Sequence, residues 1–117
     1  MKVIIAGSRE FSDYELLCQV VEKSGFDITE VVSGCARGTD KLGERWAKEN
    51  GIPVKKFPAK WDELGKDAGY IRNREMADYA DALISIVFPN SRGTRHMVRV
   101  AKLRNMECYV KVVDWRV

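Results

Sequence analysis

Three short segments of this chain each combine glycine or serine with arginine. They are Gly7-Ser8-Arg9, the stretch from Gly34 through Arg37 to Gly38, and Ser91-Arg92-Gly93-Thr94. Glycine lets backbone N–H groups come close to a ligand, hydroxyls add donors, and a guanidinium grips anionic oxygens with two parallel hydrogen bonds. Together they describe a pocket for phosphate or a nucleotide, although Gly and Ser are also the ordinary residues of turns. The middle segment is the most suggestive. Val31 to Asp40 reads as the end of a buried strand, a glycine turn and the first turn of a helix. Thr39 or Asp40 would start that helix, whose unpaired N–H groups attract anions. Its spacing is neither the Walker pattern nor the three-glycine dinucleotide pattern.

Other residue types add narrower chemistry. Asp40 and Glu44 lie one helical turn apart and are the candidate catalytic carboxylates, with helix capping and a solvated helix face as their structural alternatives. Cys35 could act as a thiolate nucleophile at a helix N-terminus, but no base stands beside it, and filling a tight turn is its simpler role. His96 is the only histidine, which excludes multi-histidine metal sites; at the start of the last helix it would either face a ligand or, the simpler reading, be exposed. No metal site is expected. Trp61 and Tyr70 could stack on a base or pin a loop to the sheet.

These residues need a scaffold that brings them to one place. The 117 residues are 45% hydrophobic and 32% charged, with nine Gly and three Pro, which fits one soluble domain spanning 1–117. A net charge of +3 is too mild to imply nucleic acid, so placement of the arginines matters more than their number. The opening Val3-Ile4-Ile5-Ala6 is too short for a signal-peptide core or a membrane span, and Cys18, Cys35 and Cys108 are widely spaced. A cytoplasmic protein with reduced thiols and no membrane partner is expected.

Apolar runs and helical periodicities alternate along the chain. Strands are expected at 2–6, 28–32, 52–57, 82–88 and 107–113. Ser12-Asp13-Tyr14-Glu15 has the spacing of a capping box, and the helix it opens stops at Ser24-Gly25. A second helix follows Asp40 and stops at Asn50-Gly51. A long connection from 58 to about 66, expected to be a flap, leads to a third helix over about 67–80 that carries Arg72, Asn73 and Arg74 near its start. A fourth helix is expected from Arg95 to about Arg104, and residues 114–117 form a tail. Pro53 marks the third strand as an edge. The result is an α/β, three-layer Rossmann-like fold with a mostly parallel five-stranded sheet, order 3-2-1-4-5. Ligands in such sheets bind beyond the strand ends where the order reverses, here between strands 1 and 4.

The segments GSREF, VVSGCARGTD, FPAKWDELGKDAGYIRNREM and SRGTRHM, taken together, resemble the YspA-like family of small proteins in the SLOG superfamily. The resemblance runs over nearly the whole chain. It implies a Rossmann-like domain that binds nucleotides or nucleotide-derived ligands such as an ADP-ribose-like molecule, and kinship with the Lonely Guy phosphoribohydrolases and the DNA-processing protein DprA. It also implies a ligand site at Gly7, Ser8, Arg9, Ser33, Gly34 and Gly38, with Asp40, Arg72, Asn73, Ser91, Gly93 and Thr94; the loop reading adds Arg37, Thr39 and Arg92. Lonely Guy enzymes carry Gly-Thr-x-x-Glu, whereas here Gly93-Thr94 leads to Met97 at the glutamate position, and a thioether is neither acid nor base. Pro89-Asn90 stands where YspA-like sequences tend to have a glycine-containing turn. The favoured expectation is a nucleotide-binding domain acting as sensor or carrier. A nucleoside-monophosphate N-glycosidase or other nucleotide hydrolase, and a DNA-binding protein of DprA type, are the alternatives. A homodimer is an expectation from the resemblance alone.

Overall fold

The computed structural model describes residues 1–89 and 91–114. Five strands, β1 (Lys2–Gly7), β2 (Glu30–Ser33), β3 (Val54–Lys56), β4 (Ala82–Val87) and β5 (Glu107–Val112), form one sheet in the order β3-β2-β1-β4-β5. Every pairing is parallel, with Ile4 opposite Val32 on one side and Leu83 on the other. The expected fold class and strand order are those observed. Parallel neighbours need crossovers, and the helices α1 (Tyr14–Ser24), α2 (Thr39–Glu49), α4 (Ala68–Tyr79) and α5 (Arg92–Leu103) supply them.

The central strands are covered on both faces, and the side-chain period of two divides their residues cleanly. Val3 and Ile5 of β1, with Ala82, Ile84 and Ile86 of β4, pack under α1 and α2; Ile4, Ala6 and Leu83 pack under α4 and α5 beside Met76, Met97 and Val100. Gly43 of α2 explains how closely that helix sits, since a Cβ there would meet Ile5 Cγ2 at 2.8 Å. The buried Ser85 of β4 is the one interior side chain among the described residues whose hydroxyl finds no hydrogen-bond partner.

Three boundaries differ from the sequence expectation, each for a local reason. The cap of α1 is Asp13, which accepts a hydrogen bond from Leu16 N at 3.0 Å, one residue later than the Ser12–Glu15 box. The connection after β3 is not an irregular flap: it folds into a short helix, α3 (Trp61–Leu64), followed by a 3₁₀ turn (Gly65–Asp67) that runs directly into α4. The last helix begins at Arg92 rather than Arg95, with Arg95 N donating to Ser91 O at 3.0 Å. Gly93 and Thr94 are therefore the first turn of a helix, and not a preceding loop. Asn90 of the expected rim turn and Trp115–Val117 of the expected tail lie outside the described residues.

No helix among the described residues is long and apolar enough to cross a membrane.

Candidate functional site

The carboxyl ends of β1 and β4 are tied together by Ser8. Its backbone N donates to Ile86 O at 3.0 Å, its Oγ accepts from Phe88 N at 2.8 Å, and the same hydroxyl pairs with that of Ser91. Its carbonyl accepts from both N and Oγ1 of Thr39, at 3.3 and 3.0 Å, so the start of α2 hangs from the same residue. Gly38 makes this approach possible. It has φ 77° and ψ −126°, and a Cβ there would meet the carbonyl oxygens of Ser8 and Arg9 at 2.5 Å. Thr39 and Gly38 thus position the loops and do not line the cavity above them. Ser91 begins α5 without capping it, because its hydroxyl is turned toward Ser8.

Above this junction lies a cavity of about 420 Å³, within the usual size range of small-ligand sites. Of the residues singled out in the sequence, Gly7, Ser8, Arg9, Asp40, Arg72, Asn73, Ser91, Arg92, Gly93 and Thr94 line it. Its floor is apolar, made by Ala6, Met76, Met97 and Phe88. Arginines from one loop and two helices therefore surround one apolar-floored space, and the first turn of α5, whose N–H groups have no intrahelical partner, opens on it. Gly93 has no packing reason to be glycine: among the described residues nothing lies within 4 Å of where its Cβ would be.

Asp40 is the buried charge of the site. Its Oδ2 accepts from Ala36 N at 3.2 Å, folding the loop back over its own helix instead of capping it. Burial pushes its carboxyl up to about 6, against the N–H groups of Ala36 and Gly7 and the Arg72 guanidinium, which favour the charged form. Arg72 donates from Nη1 to Gly34 O at 2.5 Å and from Nε to Asn73 Oδ1 at 3.1 Å. Burial also lowers the affinity of Arg72 for its proton, offset in part by Asp40. Both side chains occupy the space above Gly34, where a Cβ would meet Arg72 Nη1 and Asp40 Oδ2 at 2.8 Å each.

Asn73 is consumed in joining α4 to α5: its amide reaches Gly93 O at 3.3 Å and His96 Nδ1 at 3.1 Å. His96 is half-buried rather than simply exposed, its ring 4.4 Å from that of Tyr70. Burial, with Arg74 and Arg99 nearby, disfavours its protonated form.

Other residues go elsewhere. Ser33 is fully buried and donates to Glu44 Oε2 at 2.6 Å, while its Oγ accepts from Cys35 N. Glu44 is largely covered, lies near Lys41 and Lys56, and does not line the cavity. Gly34, Cys35 and Arg37 line a second cavity, of about 430 Å³, that adjoins the first. Cys35 adopts φ 65°, an uncommon left-handed conformation for a residue with a side chain. Sequence reading missed Ala6 and Met76 as lining residues, while Glu10 and Ala36 lie within the converging segments it named; Met76 left a signal, since it follows Arg72 and Asn73 at helical spacing. Among the described residues no group of three or more His, Cys, Asp or Glu side chains is placed to hold a metal ion.

The model of the YspA, cpYpsA-related SLOG family matches residues 1–63, which carry β1, β2, β3 and the first two of the three glycine- and arginine-bearing segments. The Gene 61 protein of Mycobacterium phage D29 is 37% identical over 112 residues, covering 86% of this chain and 88% of that protein. The chain belongs to this SLOG family. A solved structure, DNA processing protein A (DprA) from Streptococcus pneumoniae, is similar at TM-score 0.59 with 16% identity. That likeness covers 94% of this chain and 58% of the DprA chain, so this SLOG domain spans little more than half of its neighbour's length. It shows a shared fold.

Proposed function

We propose that the first cavity binds a nucleotide or nucleotide-derived phosphate ligand, and that the domain acts as a sensor or carrier. The observation that carries this reading is the convergence of Arg9, Arg72, Arg92 and the first turn of α5 on one space whose floor is apolar. Guanidinium and N–H groups suit phosphate oxygens, while Met76, Met97 and Ala6 suit the face of a base or sugar. Met97 occupies the position at which the Lonely Guy signature has its glutamate, which favours binding over turnover. Titration calorimetry with AMP, ADP, NAD and ADP-ribose tests the proposal. Binding of at least one at micromolar concentration is expected, and loss of that binding in Arg72→Ala; no heat from any of the four overturns it.

One observation favours a hydrolase as the second reading. Asp40 lines the cavity, and burial pushes its carboxyl up to about 6, which suits it to give and take a proton near neutral pH. In N-glycosidic hydrolysis it would accept a proton from the attacking water while the departing base takes one up. Release of free base from AMP, abolished by Asp40→Asn and unchanged by Glu44→Gln, is the signature of this reading. Equal release by wild type and Asp40→Asn excludes it.

A further inference from the structure

The second cavity shares a wall with the first. Arg9, Ala36 and Arg72 line both, so two guanidinium groups stand at the seam. Beyond the seam the second cavity is bounded by Pro58, Ala59 and Trp61, the last contributed by the short helix α3. Trp61 is 49% exposed, so a large apolar face is open to solvent beside the second cavity. Its position is nevertheless defined. A Cβ on Gly69 would lie 3.3 Å from Trp61 Cη2 and 3.7 Å from Arg72 Nη2, so the indole and the outer amino group of Arg72 converge over that glycine. Nε and Nη1 of Arg72 are directed to Asn73 and Gly34, leaving Nη2 on the Trp61 side.

From one end to the other the two cavities therefore present an apolar floor, a pair of guanidinium groups, and a half-exposed indole. Each volume would hold one ring system with its sugar, and the positive charge lies between them rather than at either end. The only ion pair at the boundary is between Arg37 and Glu10, at 2.6 Å among the described residues. Both partners are largely exposed, so the pair is weakly held and open to exchange for a ligand anion.

We infer that the second cavity is a subsite for a second ring, so that the preferred ligand is two ring systems joined by an anionic bridge, the chemistry of a pyrophosphate-linked dinucleotide. The inference rests on the nucleotide reading of the first cavity and adds Trp61 as its stacking platform. The bridge lies at Arg9 and Arg72, one ring over Met76 and Met97, the other against Trp61.

Calorimetry of the full chain with AMP, ADP and diadenosine pyrophosphate separates the two statements. Diadenosine pyrophosphate is expected to bind at least about tenfold tighter than ADP, the scale of one aromatic–base stack. Trp61→Ala should erase that advantage and leave ADP within about twofold of wild type, which also reports that the variant is folded. Trp61→Phe should keep most of it. Equal affinities for ADP and diadenosine pyrophosphate, or an equal loss for both in Trp61→Ala, overturn the second subsite while the first stands. A single-stranded oligonucleotide that binds where diadenosine pyrophosphate does not also overturns it. No binding of any of these probes overturns the nucleotide reading and the subsite with it.

Discussion

Asp40 illustrates how a single side chain couples site to stability. Its carboxyl is raised from about 3.8 to about 6 because burial outweighs the N–H groups and Arg72 that favour its charge. The folded state therefore binds a proton more readily than the unfolded chain, and stability falls as pH rises between about 4 and 6. A shift of that size corresponds to about 3 kcal/mol, present in full below pH 4 and gone above pH 6. Urea denaturation of wild type and Asp40→Asn across pH 4 to 7.5 checks this. The stability of wild type minus that of the variant should drop by about 3 kcal/mol over the window, and a flat difference refutes the assignment. The same burial explains why Asp40 was hard to place from sequence. Its position next to Thr39 fits a cap, but the carboxylate points back to Ala36 N, a contact that depends on Gly38 taking a conformation only glycine adopts readily.

Among the elements, those with a strong period were legible and those without one were not. The alternation of Val3, Ile4, Ile5 and Ala6 between two cores follows from a strand covered on both faces, and the edge place of β3 was marked by Pro53. The helical turn at Trp61–Leu64 is too short to show a period, so it read as loop. The start of α5 was misread because Gly93-Thr94 has turn chemistry, yet first-turn positions tolerate such residues since their N–H groups have no intrahelical partner. The converging loops could be named from the switch point between β1 and β4. Which of their side chains face inward could not, because Ser33 and Thr39 turn to Glu44 and Ser8, contacts set by packing. Gly93 offers a direct test. With open space at its Cβ position, Gly93→Ala should stabilise the protein by about 0.5–1 kcal/mol through helix propensity. With the ligand in the cavity as proposed, the added methyl enters its space, so AMP affinity should fall as thermal stability rises. A variant that gains stability with unchanged affinity would show that the ligand does not approach α5 there.

Across the whole molecule, a net charge of +3 conceals an uneven distribution, since Arg9, Arg37, Arg72 and Arg92 all gather at the carboxyl edge of the sheet. The fold is shared with DprA at only 16% identity, as expected when an alternating apolar core fixes the architecture. A clustered edge of this kind repels itself in the absence of a counter-anion, so a bound anion should stabilise the domain as a whole. At a concentration one hundred times its Kd, a ligand that binds only the folded state adds about 2.7 kcal/mol, which for a domain of this size raises Tm by roughly 10 °C. On the proposed reading the arginines hold the phosphate, so AMP should produce such a rise and adenosine a much smaller one. Raising NaCl to about 0.5 M shortens the screening length to a few ångströms and should shrink the AMP effect while leaving that of adenosine nearly unchanged. Differential scanning fluorimetry of the four combinations reads this directly. Equal shifts from AMP and adenosine, insensitive to salt, would move the recognition from the arginine edge to the apolar floor of Ala6, Met76 and Met97.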